Sequence, residues 1–317
     1  MVLVSGTANP EYSKKIASFL DVTLVDPGVV KFANSEIYCC INGNVRGADA
    51  YVIQPLCKSH ETHVSINDHM MELLIIMDAL KRASVHSITA VVPHYAYARQ
   101  DRKDRPRTPV SAKLVADLLT AAGANRVITM DLHAGQIQGF FSIPLDNIFS
   151  SPVILEHIRE KLLTDKTVCV SPDSGGVERV RFYAKKLKVE LALIDKRRTA
   201  PNVAKAMNLV GDVDGKDVII IDDLIDTAGT LIESVKALKA HGANKIHACA
   251  THPVFSDPAF ERIHHCNELD SIVVTDTIPL DSKWLQCKKL TVLSTVEIMA
   301  KTIHRTFNFD SVSSLFD

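Results

Sequence analysis

Three carboxylates, Asp222, Asp223 and Asp226, stand directly before the small residues Thr227, Ala228, Gly229 and Thr230 in the stretch Val218–Thr230, VIIIDDLIDTAGT. Thr227–Thr230 opens a helical pattern with Leu231, Val235 and Leu238 on one face, so free N–H groups and the positive end of the helix dipole would meet a phosphate there. A bare phosphate would be repelled by the acids. A sugar phosphate would not: Asp222 and Asp223 would hold ribose hydroxyls or a bound Mg²⁺ while residues 226–230 cradle the 5-phosphate. The chain contains neither Gly-x-Gly-x-x-Gly nor Gly-Lys-Ser/Thr, which excludes the commonest phosphate loops. The alternative is a surface turn with acids at a helix N-terminus, which the dipole favours anyway.

Three other groups could do chemistry. Tyr97-Ala98-Arg99-Gln100-Asp101-Arg102-Lys103-Asp104, continued by Arg105 and Arg107, fits a nucleoside triphosphate, a nucleic-acid patch or a solvated loop, and the residues alone leave these open. In Asp131-Leu132-His133, residues i and i+2 of a strand share a face, so a carboxylate and an imidazole would converge at a sheet end, toward a metal or phosphate. The structural alternative has the Asp fixing the His tautomer. Lys196-Arg197-Arg198 would stabilise charge on a transferred phosphoryl group, or be exposed. Residues 199–208, without a clear period, read as a closing lid.

These residues need a scaffold, and the pattern supplies one. Val218–Ile221 reads as a strand buried on both faces, which Asp222 and Asp223 would leave. Strands are expected at Leu3–Gly6, Tyr51–Gln54, Ile88–Val92, Val127–Met130, Thr167–Val170, Leu191–Ile194, Lys245–Ala248, Ser271–Val274 and Leu290–Leu293. Helices are expected at Glu11–Leu20, His69–Ala83, Ser111–Ala122 with Ser111 as cap, from Ser151-Pro152 with Ser151 as cap, up to Leu187, and at Ser294–Thr302 with a Ser294/Glu297 capping box. Val91–His94 before Val127–His133 echoes Val170–Asp173 before Ile219–Asp226. The expected fold is therefore α/β, with two similar domains, each a mainly parallel sheet flanked by helices. The boundaries are 1–146 and 147–293, with 294–317 packing back on the first domain.

At 317 residues the chain is long enough for two domains of about 150 residues. Lys and Arg number 36 against 37 Asp and Glu, so no global field would hold nucleic acid. No apolar run spans a bilayer and no signal peptide is evident, which leads to a cytoplasmic expectation. Seven cysteines without Cys-x-x-Cys argue against a disulfide framework or zinc site. Cys169 and Cys249 should be buried. His60-Glu61-Thr62-His63 is one residue short of a helical zinc motif.

The 221–230 motif resembles the phosphoribosyl-diphosphate loop of type I phosphoribosyltransferases. With Lys31–Ile37, Asn44–Gly47, Tyr97–Asp101, Met130–His133 with Gln136–Phe141, Ser171–Gly176 and Asp195–Arg198 in order, nearly the whole chain resembles the ribose-phosphate pyrophosphokinase family, in its bacterial spelling. The resemblance implies transfer of the β,γ-diphosphate of MgATP to the C1 hydroxyl of ribose 5-phosphate, giving AMP and a product for nucleotide, His and Trp synthesis. It implies Phe32, Asn34 and Glu36 from a neighbouring subunit at adenine, and Arg99, Gln100 and Asp104 at ATP. Asp131, His133 and Asp173 match Mg²⁺ positions, His133 also contacting the phosphates. Asp222, Asp223 and Asp226–Thr230 would bind ribose 5-phosphate, and Lys196 and Arg198, with His133, would be catalytic. A homo-oligomer follows, a hexamer built from dimers by family precedent.

Some positions depart from the family. Ser35 stands where Gly is common, and Ser142 where Asp is usual, leaving Asp146. Asn44 replaces a Ser of the allosteric phosphate/ADP site, of which Arg46, Ser311, Ser313 and Ser314 remain. Two other readings compete: a base phosphoribosyltransferase, which would not need the ATP elements, and a non-catalytic regulatory relative, which would lose the Lys196–Arg198 region.

Overall fold

Alternating apolar residues place side chains on both faces of two parallel sheets, and helices cover each face. The computed structural model describes residues 1–59, 62–197 and 206–316, leaving aside the side chains at 196, 197, 206 and 207. The first compact unit comprises Met1–Phe149, Thr277–Pro279 and the described residues from Thr295 onward; the second comprises Ser150–Asp276 and Leu280–Ser294.

The first unit runs β1 (Val2–Ser5), α1 (Pro10–Leu20), β2 (Leu24–Val25), β3 (Val30–Lys31), β4 (Ile37–Tyr38), β5 (Asp49–Ile53), α2 (Ile66–Arg82), β6 (Ser87–Val92), α3 (Ser111–Ala121), β7 (Arg126–Met130) and β8 (Leu145–Ile148). The second runs α4 (Ser151–His157), β9 (Thr167–Ser171), α5 (Val177–Leu187), β10 (Glu190–Arg197), β11 (Ala206–Val210), β12 (Asp217–Ile225), α6 (Gly229–Ala240), β13 (Ile246–Pro253), α7 (Ala259–His264), β14 (Ser271–Thr275) and β15 (Leu290–Leu293), after which α8 (Val296–Phe307) joins the first unit.

The first sheet has strand order β2-β1-β5-β6-β7-β8, all parallel. The second has order β11-β10-β9-β12-β13-β14-β15, parallel except for β11 against β10. Without β11 the two orders coincide, so each half is a doubly wound sheet whose direction of winding reverses once, between β1 and β5 and between β9 and β12. That reversal opens a crevice at the carboxyl ends of the strands, where ligands bind in such sheets. The positional match also corrects the sequence echo: β6 corresponds to β13 and β7 to β14, not to β9 and β12.

Strand alternation decides which core each residue joins. Ala50 and Val52 face α2 and α3, against Leu73, Ile76, Met77 and Leu119. Tyr51 and Ile53 face α1 and α8, against Ile16, Met299 and Ile303. In the second unit Val218 and Ile220 face α6 and α7, while Ile219 and Ile221 face α4 and α5. Cys169 and Cys249 lie in this last core, and burial pushes the Cys169 thiol up to about 12. Residues fully buried on both faces explain the near-continuous apolar runs.

Several helix starts differ from expectation. Ser111 is the first residue of α3, behind Val110, and its hydroxyl donates to Gln100 Oε1 at 2.6 Å instead of capping. Ser150, not Ser151, precedes α4, and its hydroxyl pairs with Thr251 Oγ1 at 2.8 Å. The Ser294/Glu297 box does not form: Thr295 precedes α8, Ser294 donates to Asp276 at 2.8 Å, and Glu297 accepts from Lys301 at 2.6 Å. Among the described residues a reciprocal capping box forms between Ser65 and Asp68 at α2. Residues 206–208 belong to β11, so the proposed lid at 199–208 is not one continuous loop; residues 199–205 lie outside the described residues, as do His60 and Glu61.

In the first unit the crevice is filled by the protein itself. Glu72, buried on α2, accepts from Thr7 N at 2.6 Å, Thr7 Oγ1 at 2.6 Å and Gln54 Nε2 at 3.0 Å, while Gln54 Oε1 takes the Ala8 N–H at 3.0 Å. A Cβ on Gly6 would lie 2.2 Å from Gln54 Oε1, so only glycine admits this side chain. Gly6→Ala should therefore destabilise the protein by about 1–3 kcal/mol. Adding Gln54→Ala should recover part of that loss in a denaturant-unfolding double-mutant cycle, and a strictly additive cycle would refute the assigned clash.

Candidate functional site

The strand expected to end at Ile221 continues to Ile225, so Asp222 and Asp223 lie within β12 rather than beyond it. Alternation then separates the two acids. Asp223 shares the side of Ile219 and Ile221, toward α5, and is only 3% exposed. Arg179, on the first turns of α5, donates to its Oδ1 at 3.1 Å and stands 3.9 Å from Asp222 Oδ1. Asp222 Oδ1 also accepts the Asp223 N–H at 2.9 Å. Arg179 thus spans the crevice between the segment after β9 and the end of β12. The sequence argument missed it, because its only signal was a cation on the polar side of a helix.

Asp222 keeps 30% of its side-chain surface open, yet burial first and the Asp223 carboxylate second push its carboxyl well above the ordinary range, against the pull of Arg179. A carboxyl raised on folding stabilises the protein fully below its unfolded value and loses that contribution as pH rises through its folded value. Asp222→Asn should therefore raise the melting temperature more at about pH 7.5 than at about pH 4. An equal shift at both, in thermal scans, would refute strain at this carboxyl.

Ile225 hands over to the expected phosphate loop. Ala228 adopts a left-handed φ of +58° immediately before α6, a conformation that costs an L-residue about 1–2 kcal/mol. Ala228 gives α6 no side-chain cap and no acid occupies its first turn, so neither device claims its leading N–H groups. The Arg262 guanidinium donates to Thr227 O at 2.9 Å. On the other side of the crevice Asp173 is turned onto its own loop, its Oδ1 accepting Gly175 N at 2.9 Å and Gly176 N at 3.0 Å. The structure thus gathers Asp173, Asp222, Asp223 and Asp226–Thr230 at the ends of the adjacent strands β9 and β12. Lys196 falls in β10, and Arg198 lies outside the described residues.

In the first unit the corresponding residues follow the adjacent strands β6 and β7. The strand alternation invoked for Asp131 and His133 does not apply, because β7 ends at Met130 and Asp131 has φ +43°. The loop is instead held by the last strand, Asp131 N donating to Ile148 O at 2.9 Å and Leu132 N to Asn147 Oδ1 at 3.1 Å. His133 is exposed. Gln136 Nε2 donates to Asp101 Oδ2 at 2.8 Å, joining this loop to the one bearing Arg99 and Gln100. Tyr97 has φ +62° and its carbonyl accepts the Gln100 N–H at 2.9 Å. Arg99, Gln100 and Asp104 are exposed.

Phe32, Asn34 and Glu36 form the exposed tip of the β3–β4 hairpin, with Phe32 6.0 Å from the Tyr38 ring. Ser35 there has φ +72°, which explains the glycine common at this place in the family. Phe32, Glu36, Tyr38, Asp68 and Met71 border a cavity of about 370 Å³. Asp146 accepts from Arg126 at 2.5 Å, so it is held by an ion pair. Ser311, Ser313 and Ser314 gather on Arg305, which donates to Ser311 O at 2.6 Å and also bonds Ser314. Their bonds among the described residues do not reach Arg46, whose N–H is taken by Asn44 Oδ1 at 3.2 Å.

Among the described residues no three His, Cys, Asp or Glu side chains form a metal cage. Mg²⁺ does not need such a cage, since it keeps waters and substrate phosphates and takes only one or two protein carboxylates.

Two doubly wound α/β halves of the same strand order, the second with a short loop before α6 at its crevice, define the class. A family model described as the N-terminal domain of ribose phosphate pyrophosphokinase matches residues 1–123, and one described as a phosphoribosyl synthetase-associated domain matches residues 197–317. The chain is 50% identical over 316 residues to a ribose-phosphate pyrophosphokinase of Shewanella oneidensis, covering 99% of this chain and 98% of the relative. It is 49% identical over 314 residues to one of Caldanaerobacter subterraneus subsp. tengcongensis, covering 99% and 97%. The crystal structure of phosphoribosylpyrophosphate synthetase from Mycobacterium smegmatis matches with TM-score 0.90 and 41% identity, covering 97% of this chain and 99% of that one. The chain belongs to the ribose-phosphate pyrophosphokinase family.

Proposed function

We propose that the chain transfers the β,γ-diphosphate of MgATP to the C1 hydroxyl of ribose 5-phosphate, releasing AMP. The observation that supports this most is the crevice between β9 and β12, where a loop suited to an anion adjoins carboxylates suited to hydroxyls. A sugar phosphate has both groups on one molecule. In this reading Asp222 faces the ribose hydroxyls, Asp223 stands behind it on Arg179 rather than on the sugar as expected from the sequence, and Asp226–Thr230 face the 5-phosphate, with Asp173 nearby.

Arg99, Gln100 and Asp104 take ATP in this reading. Mg²⁺ enters with ATP as part of the substrate and neutralises its phosphate oxygens; Asp131, His133 and Asp173 would meet it. Attack at phosphorus depends on positioning and charge neutralisation more than on a strong base. Lys196, Arg198 and His133 are therefore assigned to the transferred group. Phe32, Asn34 and Glu36 are assigned to a neighbouring subunit's adenine, which requires an oligomer, a hexamer built from dimers by family resemblance. Phosphate and ADP are proposed as effectors through Arg46, Ser311, Ser313 and Ser314. No helix among the described residues is long and apolar enough to cross a membrane, which is compatible with a cytoplasmic enzyme.

The test is AMP formation from MgATP with and without ribose 5-phosphate, over a titration of inorganic phosphate. AMP that requires the sugar is the expected result; a base phosphoribosyltransferase or a non-catalytic regulatory protein would give none. A rise with phosphate would support the effector site, and indifference to phosphate would remove it. In the same assay Arg198→Ala should lower kcat by at least about 100-fold, the scale of one preorganised donor, while ribose 5-phosphate still binds. Near-normal turnover would sink the Arg198 assignment.

A further inference from the structure

The acids of the second crevice leave a problem of charge. Asp222, Asp223 and Asp226 precede the loop that should accept a dianionic phosphate, and Arg179 is turned to Asp223 and Asp222, away from that task. The cation on the loop itself comes from an element that bears none of the family motifs noted in the sequence. Ala259 and Ile263 anchor α7 in the core, both fully buried, and Arg262, beside Ile263, is left at the surface.

One N–H of Arg262 is spent on Thr227 O at 2.9 Å. The same nitrogen lies 3.1 Å from where a Cβ on Gly229 would stand, so the guanidinium rests against the loop backbone at the start of α6. Among the described residues it has no carboxylate partner, although the neighbouring Glu261 pairs with His265 at 3.7 Å. A guanidinium has five N–H donors in a fixed fork, so a single bond to a carbonyl leaves most of its capacity unused. Beside it α6 opens with neither a capping side chain nor an acid in the first turn. An unneutralised guanidinium, an uncapped helix start and a strained Ala228 at one point are what a phosphate dianion would complete.

We propose that Arg262 is a substrate-binding residue that reads the 5-phosphate of the sugar, holding the Thr227 carbonyl with one nitrogen and offering its charge to the phosphate. This rests on the sugar-site reading above and adds the residue that offsets the acids. A purely structural prop would need the hydrogen bond to Thr227 but not the charge. The phosphate contact needs the charge.

Binding of ribose 5-phosphate, measured by titration calorimetry on the intact protein, separates these. Arg262→Gln keeps a donor without charge and should weaken binding by about 10- to 100-fold, the range for a hydrogen bond to a charged group. Arg262→Lys keeps the charge and should stay within about fivefold of the parent. The inference is overturned if the Gln variant binds within about twofold of the parent, or if Lys and Gln lose affinity equally, since either result makes charge irrelevant. A parent protein that binds no ribose 5-phosphate would instead overturn the sugar-site reading on which the inference stands.

Discussion

Arg179 is the interaction on which the second half depends. Two carboxylates adjacent in sequence at a strand end would repel each other and any phosphate nearby. Because neighbouring strand residues project to opposite faces, Asp223 is driven into the α5 side, where an unpaired charge would cost several kcal/mol. Arg179 meets it there at 3.1 Å and remains 3.9 Å from Asp222. One guanidinium thereby fixes the first turns of α5 against β12 and leaves Asp222 as the carboxyl that is open to the crevice. Burial first, and the neighbouring Asp223 carboxylate second, hold that carboxyl well above the ordinary range in spite of Arg179.

The first half has the same strand order and resolves the same crevice differently. Where the second half has Arg179 against acids, the first has Glu72 receiving Thr7 and Gln54, a satisfied internal network with a carboxylate in the place of a ligand anion. With that crevice filled, the residues suited to ATP follow the next two strands, β6 and β7, linked by the bond from Gln136 to Asp101. A shared winding thus fixes where loops can meet, and side chains decide which of those places stays open. The same architecture accommodates a filled crevice and an open one without any change of strand order.

Much of the architecture was legible because buried parallel strands need continuous β-branched runs, and Val218–Ile221, Ile88–Val92 and Thr167–Val170 are of that kind. Helix starts were less so. Ser111, Ser151 and Ser294 have the chemistry of caps, but Ser111 and Ser294 are bonded to side chains far along the chain and Ser151 lies one residue past the cap position, information that no local window contains. The Asp131/His133 argument from strand alternation failed for a similar reason: the strand stops one residue earlier, where Ile148 on β8 captures the Asp131 N–H. Arg179 and Arg262 were invisible because each acts on a motif that its own neighbours in sequence do not belong to.

Backbone strain offers a check on the loops that is independent of side-chain chemistry. Ser35, Tyr97, Asp131 and Ala228 all have φ between +43° and +72°, and none is glycine. Each lies in a segment assigned to a substrate: the hairpin tip, the loop after β6, the loop after β7 and the start of α6. Positions of this kind cost of order 1–3 kcal/mol and persist where the surroundings over-determine them. The surroundings here are identifiable: the Phe32 carbonyl taking the Ser35 N–H at 2.8 Å, the Tyr97 carbonyl taking Gln100 N–H, Ile148 holding Asp131, and Arg262 holding Thr227. Other left-handed non-glycine residues occur at helix ends, such as Asp21 and Lys188, where a terminating turn is reason enough, and in connecting turns at His63, Arg107 and Phe255. For Ala228 that reason is absent, because it begins a helix. Its conformation turns the chain into α6 directly after Thr227, whose carbonyl is held by the Arg262 guanidinium at 2.9 Å, and α6 begins without a capping side chain.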